Sequence, residues 1–184
     1  MLRVIFLILS VVWSSLSLAQ ERNFFVSPHI GVGEINIDGF HSIDGNNDSV
    51  NTFVMGVSGG YKFKSKFLIE ADFTVSTDDA LFGTFDSYSV SELRILLGYS
   101  FELSDRFRII PKIGFSDWTF ESKEGVFLNP GAEKKKEFDG NEAVLAVDFE
   151  VPISDLIQLY LSYTQSNFEF GKADATELGI KFSF

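Results

Sequence analysis

The chain has 184 residues, with 15 Lys and Arg against 26 Asp and Glu, and a formal charge of −11. That balance repels a polyanion and argues against nucleic acid as a partner. There is no cysteine, which excludes a lipid anchored on cysteine, a disulfide framework and thiolate metal sites.

The chain opens with Arg3, an apolar run over residues 4–13 broken only by Ser10, and then Ser17-Leu18-Ala19. A positive residue, an apolar core and small residues before a cleavage point define a secretory signal peptide. The run is shorter than the ~20 residues a membrane helix needs. Residues 1–19 are therefore expected to be the signal peptide and residues 20–184 a single domain. No long apolar stretch follows. The 21 phenylalanines and 15 glycines, with alternating apolar residues, favour an all-β domain.

From Phe24 onward the side-chain period is two, the signature of strands. In the first expected strand, residues 24–35, Phe24, Val26, Pro28, Ile30 and Val32 share one face. Phe25, Ser27, His29, Gly31 and Gly33 share the other. A polar loop, 38–49, leads to a second strand at 51–63. The short Lys64-Ser65-Lys66 connection leads to a third at 67–76. A loop over 77–86 precedes the fourth, 88–101, and a tight turn at 103–106 precedes the fifth, 107–120. The longest expected loop, 121–139, is charged. A sixth strand at 142–151, a turn at 152–155 and a seventh strand at 156–168 follow. In the last strand Thr176, Leu178, Ile180, Phe182 and Phe184 alternate with Ala175, Glu177, Gly179, Lys181 and Ser183.

The spacing predicts an eight-stranded antiparallel up-and-down transmembrane β-barrel with an apolar outer face. Tight turns after even strands and longer loops after the first, third and fifth put both termini on the periplasmic side. Tyr61, Phe63, Tyr99, Phe101 and Phe184 then form an aromatic girdle at that rim. Pro111 falls mid-strand without a donor, which predicts a bulge or local opening. Asp117 lies on the apolar face and is tolerable only where its strand leaves the bilayer.

A final amphipathic strand ending in phenylalanine resembles the C-terminal signal of Gram-negative outer-membrane barrels. The stretches G-V-S-G-G-Y-K-F, L-L-G-Y-S-F-E-L and P-K-I-G-F-S-D-W are similar to the Gly-aromatic strand endings of the OmpA-like/OmpX-like eight-stranded barrel family. The resemblance implies an outer-membrane location, barrel domain only, with no match to the peptidoglycan-binding domain that follows such barrels in full-length OmpA proteins. It makes Leu178, Ile180, Phe182 and Phe184 an insertion signal. It implies as partners outer-membrane lipid and lipopolysaccharide, the barrel-assembly machinery, periplasmic chaperones and an extracellular ligand reached through loops.

Inward positions carry Glu70, Asp72, Glu92, Asp148, Glu150 and Glu177 against Lys62, Arg94, Arg108, Lys112 and Lys181. A lumen of eight strands is just wide enough for side chains to fill, so these charges are expected to pair. Regular registers would put Glu70 opposite Arg94 and Lys112 opposite Asp148. His29 points inward and His41 lies in a loop. Neither sits in a nucleophile motif, and G-x-S-x-G does not occur. Asp44-Gly45-Asn46-Asn47-Asp48 begins like a calcium loop, but Ser49 and Met55 stand where Gly and Glu are required. Lys134 to Lys136 could touch lipopolysaccharide phosphates; flanked by Glu133 and Glu137, they read as a solvated loop tip. No cofactor, metal or catalytic residue is expected. The expected function is a non-enzymatic outer-membrane barrel serving envelope integrity or surface interaction. A small channel for ions or solutes is the second reading, and a lipid-modifying enzyme the third.

Overall fold

The computed structural model describes residues 23–37, 49–78, 87–124, 134–168 and 171–184, and every element among them is a strand. The strands are β1 (Phe24–Ile37), β2 (Ser49–Lys62), β3 (Phe67–Thr77), β4 (Ser87–Tyr99), β5 (Phe101–Ser104), β6 (Phe107–Glu124), β7 (Lys134–Pro152), β8 (Ile157–Phe168) and β9 (Gly171–Ser183). All pairings are antiparallel. The sheet runs β4-β3-β2-β1-β9-β8-β7-β6-β5, and β4 also pairs with β6. That last pairing closes the ring, with β5 prolonging β4, so the barrel has eight staves. Closure leaves no edge strand among the described residues, which is what a bilayer demands of strands.

Burial alternates with the predicted period. Ile30, Val32, Leu97, Ile113, Phe115 and Leu178 all point outward, and Phe115 is 72% exposed. A continuous apolar exterior of this extent is stable only against lipid. At the end where β1 begins and β9 ends, Phe24 stacks edge-on against Tyr61 at 4.8 Å, Tyr61 against Phe63 at 4.9 Å and Tyr99 against Phe101 at 4.8 Å. Phe184 lies 6.5 Å from Phe24, and Phe67 packs 5.0 Å from Tyr99. The expected girdle is present, with Phe24 and Phe67 as further members.

Two prolines shape the ladder. Opposite Pro111, the β4–β6 pairing stops at Gly98↔Lys112 and resumes as Phe101↔Ile109. This is the local opening expected from a missing N–H. On the other side of β4 the ladder is intact: the Ser100 N–H donates to the Lys66 carbonyl at 2.9 Å, continuing the β3–β4 pairing. Pro28 interrupts the β1–β9 seam between Val26↔Phe182 and His29↔Gly179. There the Ser27 hydroxyl donates to the Ile180 carbonyl at 3.2 Å, replacing a donor Pro28 does not have.

The structure corrects two expectations. The segment 121–139 is mostly not loop: β6 and β7 pair as far as Glu124↔Lys134, so Lys134 to Lys136 begin a strand. The alternating polar residues there are charged rather than apolar, which hid the strand from a hydrophobic pattern. The registers also differ. Arg94 faces Asp72 rather than Glu70, and Lys112 faces Ala146 rather than Asp148. Both errors equal one inward pair, the slip expected when turn length alone sets register. Residues 1–19, His41, the Asp44 to Asp48 stretch and most of loop 77–86 lie outside the described residues.

Candidate functional site

The inward faces of the staves converge on a polar lumen. Successive inward residues on one strand are two apart, so each stave contributes a ladder of groups, and the ladders meet as stacked layers.

Nearest the terminus-bearing end, Lys181 on β9 contacts Glu150 on β7. Its ammonium sits 4.6 Å from the Phe25 ring centroid and 5.2 Å from that of Tyr160. Aromatic faces stabilise a desolvated cation there. One layer further, Lys112 on β6 lies 2.6 Å from Asp148 and 2.8 Å from Glu70. Ser162 donates to the second Asp148 oxygen at 2.8 Å. Then comes Arg94 on β4. Its Nε donates to Glu92 at 2.5 Å, and its Nη1 lies 3.3 Å from both Asp72 and Glu177. Ser166 completes Glu92 at 3.2 Å and Thr74 completes Asp72 at 3.2 Å. All nine of these charged groups are buried.

Nine of the eleven expected lumen charges thus meet in three layers. Lys62 and Arg108 are the exceptions. Arg108 faces Glu150 on one side and Glu102 on the other in register, yet no carboxylate lies within 4.0 Å of it among the described residues. His29 also enters the Arg94 layer, with Nε2 3.6 Å from Asp72 and 3.8 Å from Glu177.

Beyond the Arg94 layer the lumen becomes apolar. Ile35, Val90, Trp118, Phe120 and Phe168 form a buried cluster, with Trp118 edge-on to Phe168 at 5.0 Å. The sequence reading missed this plug. Its signal was available: Trp118 and Phe120 continue the inward alternation of Lys112, Gly114 and Ser116. A second missed pattern places a glycine directly across from four inward rings, as Phe25↔Gly60, His29↔Gly56, Trp118↔Gly140 and Tyr160↔Gly179. A β-carbon on any of these glycines would strike the ring facing it.

A closed antiparallel barrel with an apolar exterior, an aromatic girdle and a charged, filled interior defines an outer-membrane β-barrel. Residues 5–184 match the family model for the outer membrane protein beta-barrel domain, and the chain belongs to that family. Its location is the outer membrane. Three solved structures share the fold. Neisserial surface protein A is 11% identical, covering 88% of this chain and 97% of that one with a TM-score of 0.69. Ail, the attachment invasion locus protein of Yersinia pestis, is 12% identical over 88% and 99%, with a TM-score of 0.59. OprG of Pseudomonas aeruginosa is 14% identical over 89% and 97%, also at 0.59. No curated protein matches the chain.

Proposed function

We propose that this protein is a sealed outer-membrane scaffold. Its lumen is a structural ion-pair core, and its working surface is the loop-bearing end. The observation that carries the reading is the stacking of two unlike seals. The Arg94 and Lys112 layers occupy the mid-lumen with groups that contact one another, and the Trp118–Phe168 plug covers them. Ions entering such a lumen would have to displace desolvated salt bridges and then cross an apolar constriction.

Residues 1–19 act in this reading as the cleaved signal, and 20–184 as the barrel. Both termini and the short turns face the periplasm. Leu178, Ile180, Phe182 and Phe184 present β9 to the barrel-assembly machinery after periplasmic chaperones release it. The long connections face outward among lipopolysaccharide and meet an extracellular ligand. The likeness in fold to Ail, named for attachment and invasion, is in keeping with a displaying barrel. His29 faces carboxylates inside the lumen, away from lipid, which supports a place in the polar core over ester chemistry.

The test is ion and solute flux through liposomes carrying refolded residues 20–184. Flux no greater than in empty liposomes is expected. Flux that responds to neutralising Glu70 or Arg94 would sink the scaffold reading and make the lumen a channel.

A further inference from the structure

We propose that the periplasmic mouth of the barrel is a binding site for a small organic anion bearing a carboxylate or phosphate. A cavity of about 580 Å³ opens between the ends of β1, β2, β3, β6, β7, β8 and β9. That volume suits a small-molecule pocket. Phe25, Leu68 and Ile110 give it apolar lining, Lys62 and Arg108 line it as well, and so does the buried Lys181–Glu150 pair.

The argument rests on how Lys62 and Arg108 differ from the rest. Lys181, Lys112 and Arg94 each contact at least one carboxylate. Lys62 does not among the described residues, where its ammonium reaches the Ser100 hydroxyl at 3.4 Å. Arg108 has no carboxylate within 4.0 Å among the described residues. Both are half-buried and line the same cavity. A half-buried cation gains from an anion that it does not find in water, and a guanidinium binds a planar anion through two parallel bonds. Glu150, in the same lining, is engaged by Lys181. Asp105 and Asp155 also line the cavity, but both are exposed turn residues, where solvent and salt screen them. Asn23, Gln158 and Ser183 add neutral hydrogen-bonding groups at the mouth. An organic anion would place its charge against Lys62 and Arg108 and its apolar body against Leu68 and Ile110.

The probes are benzoate, its neutral counterpart benzyl alcohol, and inorganic phosphate. Each is titrated into the refolded barrel in lipid nanodiscs while amide chemical shifts are followed. Benzoate is expected to shift Lys62, Arg108, Gln158 and Ser183 saturably, with benzyl alcohol leaving them unchanged. Lys62→Gln with Arg108→Gln is expected to weaken benzoate at least about tenfold. Neither substitution strands a paired carboxylate, so the variant should fold, as its native spectrum would show. Equal response to benzyl alcohol, no saturable shift, or unchanged affinity in the variant overturns the site. Phosphate binding as tightly as benzoate overturns the organic part of the assignment. Binding does not require a closed lumen, so this proposal and the scaffold reading fail independently.

Discussion

Arg94 shows why the lumen charges are interdependent. One guanidinium serves Glu92, Asp72 and Glu177, all buried. Removing it strands carboxylates where water does not reach. Arg94→Met is therefore expected to destabilise the barrel by about 3–5 kcal/mol, read from urea unfolding of the refolded protein in micelles. A loss below about 1 kcal/mol would mean that water or protons already compensate this layer. The pair between Lys66 and Glu102, 3.1 Å apart past the girdle, is the counterexample. Both side chains are exposed, and Glu102→Gln should cost less than about 1 kcal/mol. The hydrogen bond and charge of Lys66 lower the Glu102 pKa below its ordinary value. A depressed carboxylate stabilises the fold above its unfolded pKa, and the contribution is lost as pH falls through the folded value. Wild type and Glu102→Gln should then differ slightly at neutral pH and converge on acidification below the ordinary glutamate range. A gap that widens in acid would reverse the assigned sign.

At the scale of the strands, glycines decide how closely staves approach. Gly179 lies under the Tyr160 ring, and a β-carbon there would land on ring atoms. Gly59 faces outward, where a β-carbon would meet its nearest atom, the Phe25 carbonyl oxygen, at an ordinary 3.5 Å. Gly179→Ala is expected to destabilise by about 1–3 kcal/mol through overpacking. Gly59→Ala should be neutral or stabilise by up to about 1 kcal/mol through the unfolded chain. Equal effects, measured by the same unfolding assay, would show that the ring simply swings aside. The strands were largely legible because lipid outside and polar groups inside give every residue pair the same contrast. Legibility failed where that contrast fails. Past the Phe120↔Phe138 pair, residues 121–124 and 134–137 are all polar, so the continued pairing of Glu121 with Glu137 left no hydrophobic trace. Pro111 was readable because its missing donor is a property of the residue alone. The rescue of Pro28 by Ser27 was not, because it depends on which strand closes the ring.

For the molecule as a whole, the candidate site was legible as a composition and illegible as an arrangement. Alternation alone put Glu70, Lys112 and Asp148 inside, but their contacts depend on the slant of the ladder and on side-chain length. Lys112 reaches Glu70 and Asp148 although its observed register partners are Gly98 and Ala146. Slant also sets where the polar core stops and the Trp118–Phe168 plug begins, and the two form barriers in series. Resistances in series add, so opening one leaves the other in control. Trp118→Ala with Phe168→Ala is accordingly expected to hasten amide exchange at the loop end of β6 and β8 while liposome flux stays at background. Combining it with Arg94→Met should raise flux far more than either change alone. A plug variant that conducts by itself would show that the ion-pair layers are permeable, and that the aromatic cluster alone keeps the barrel closed.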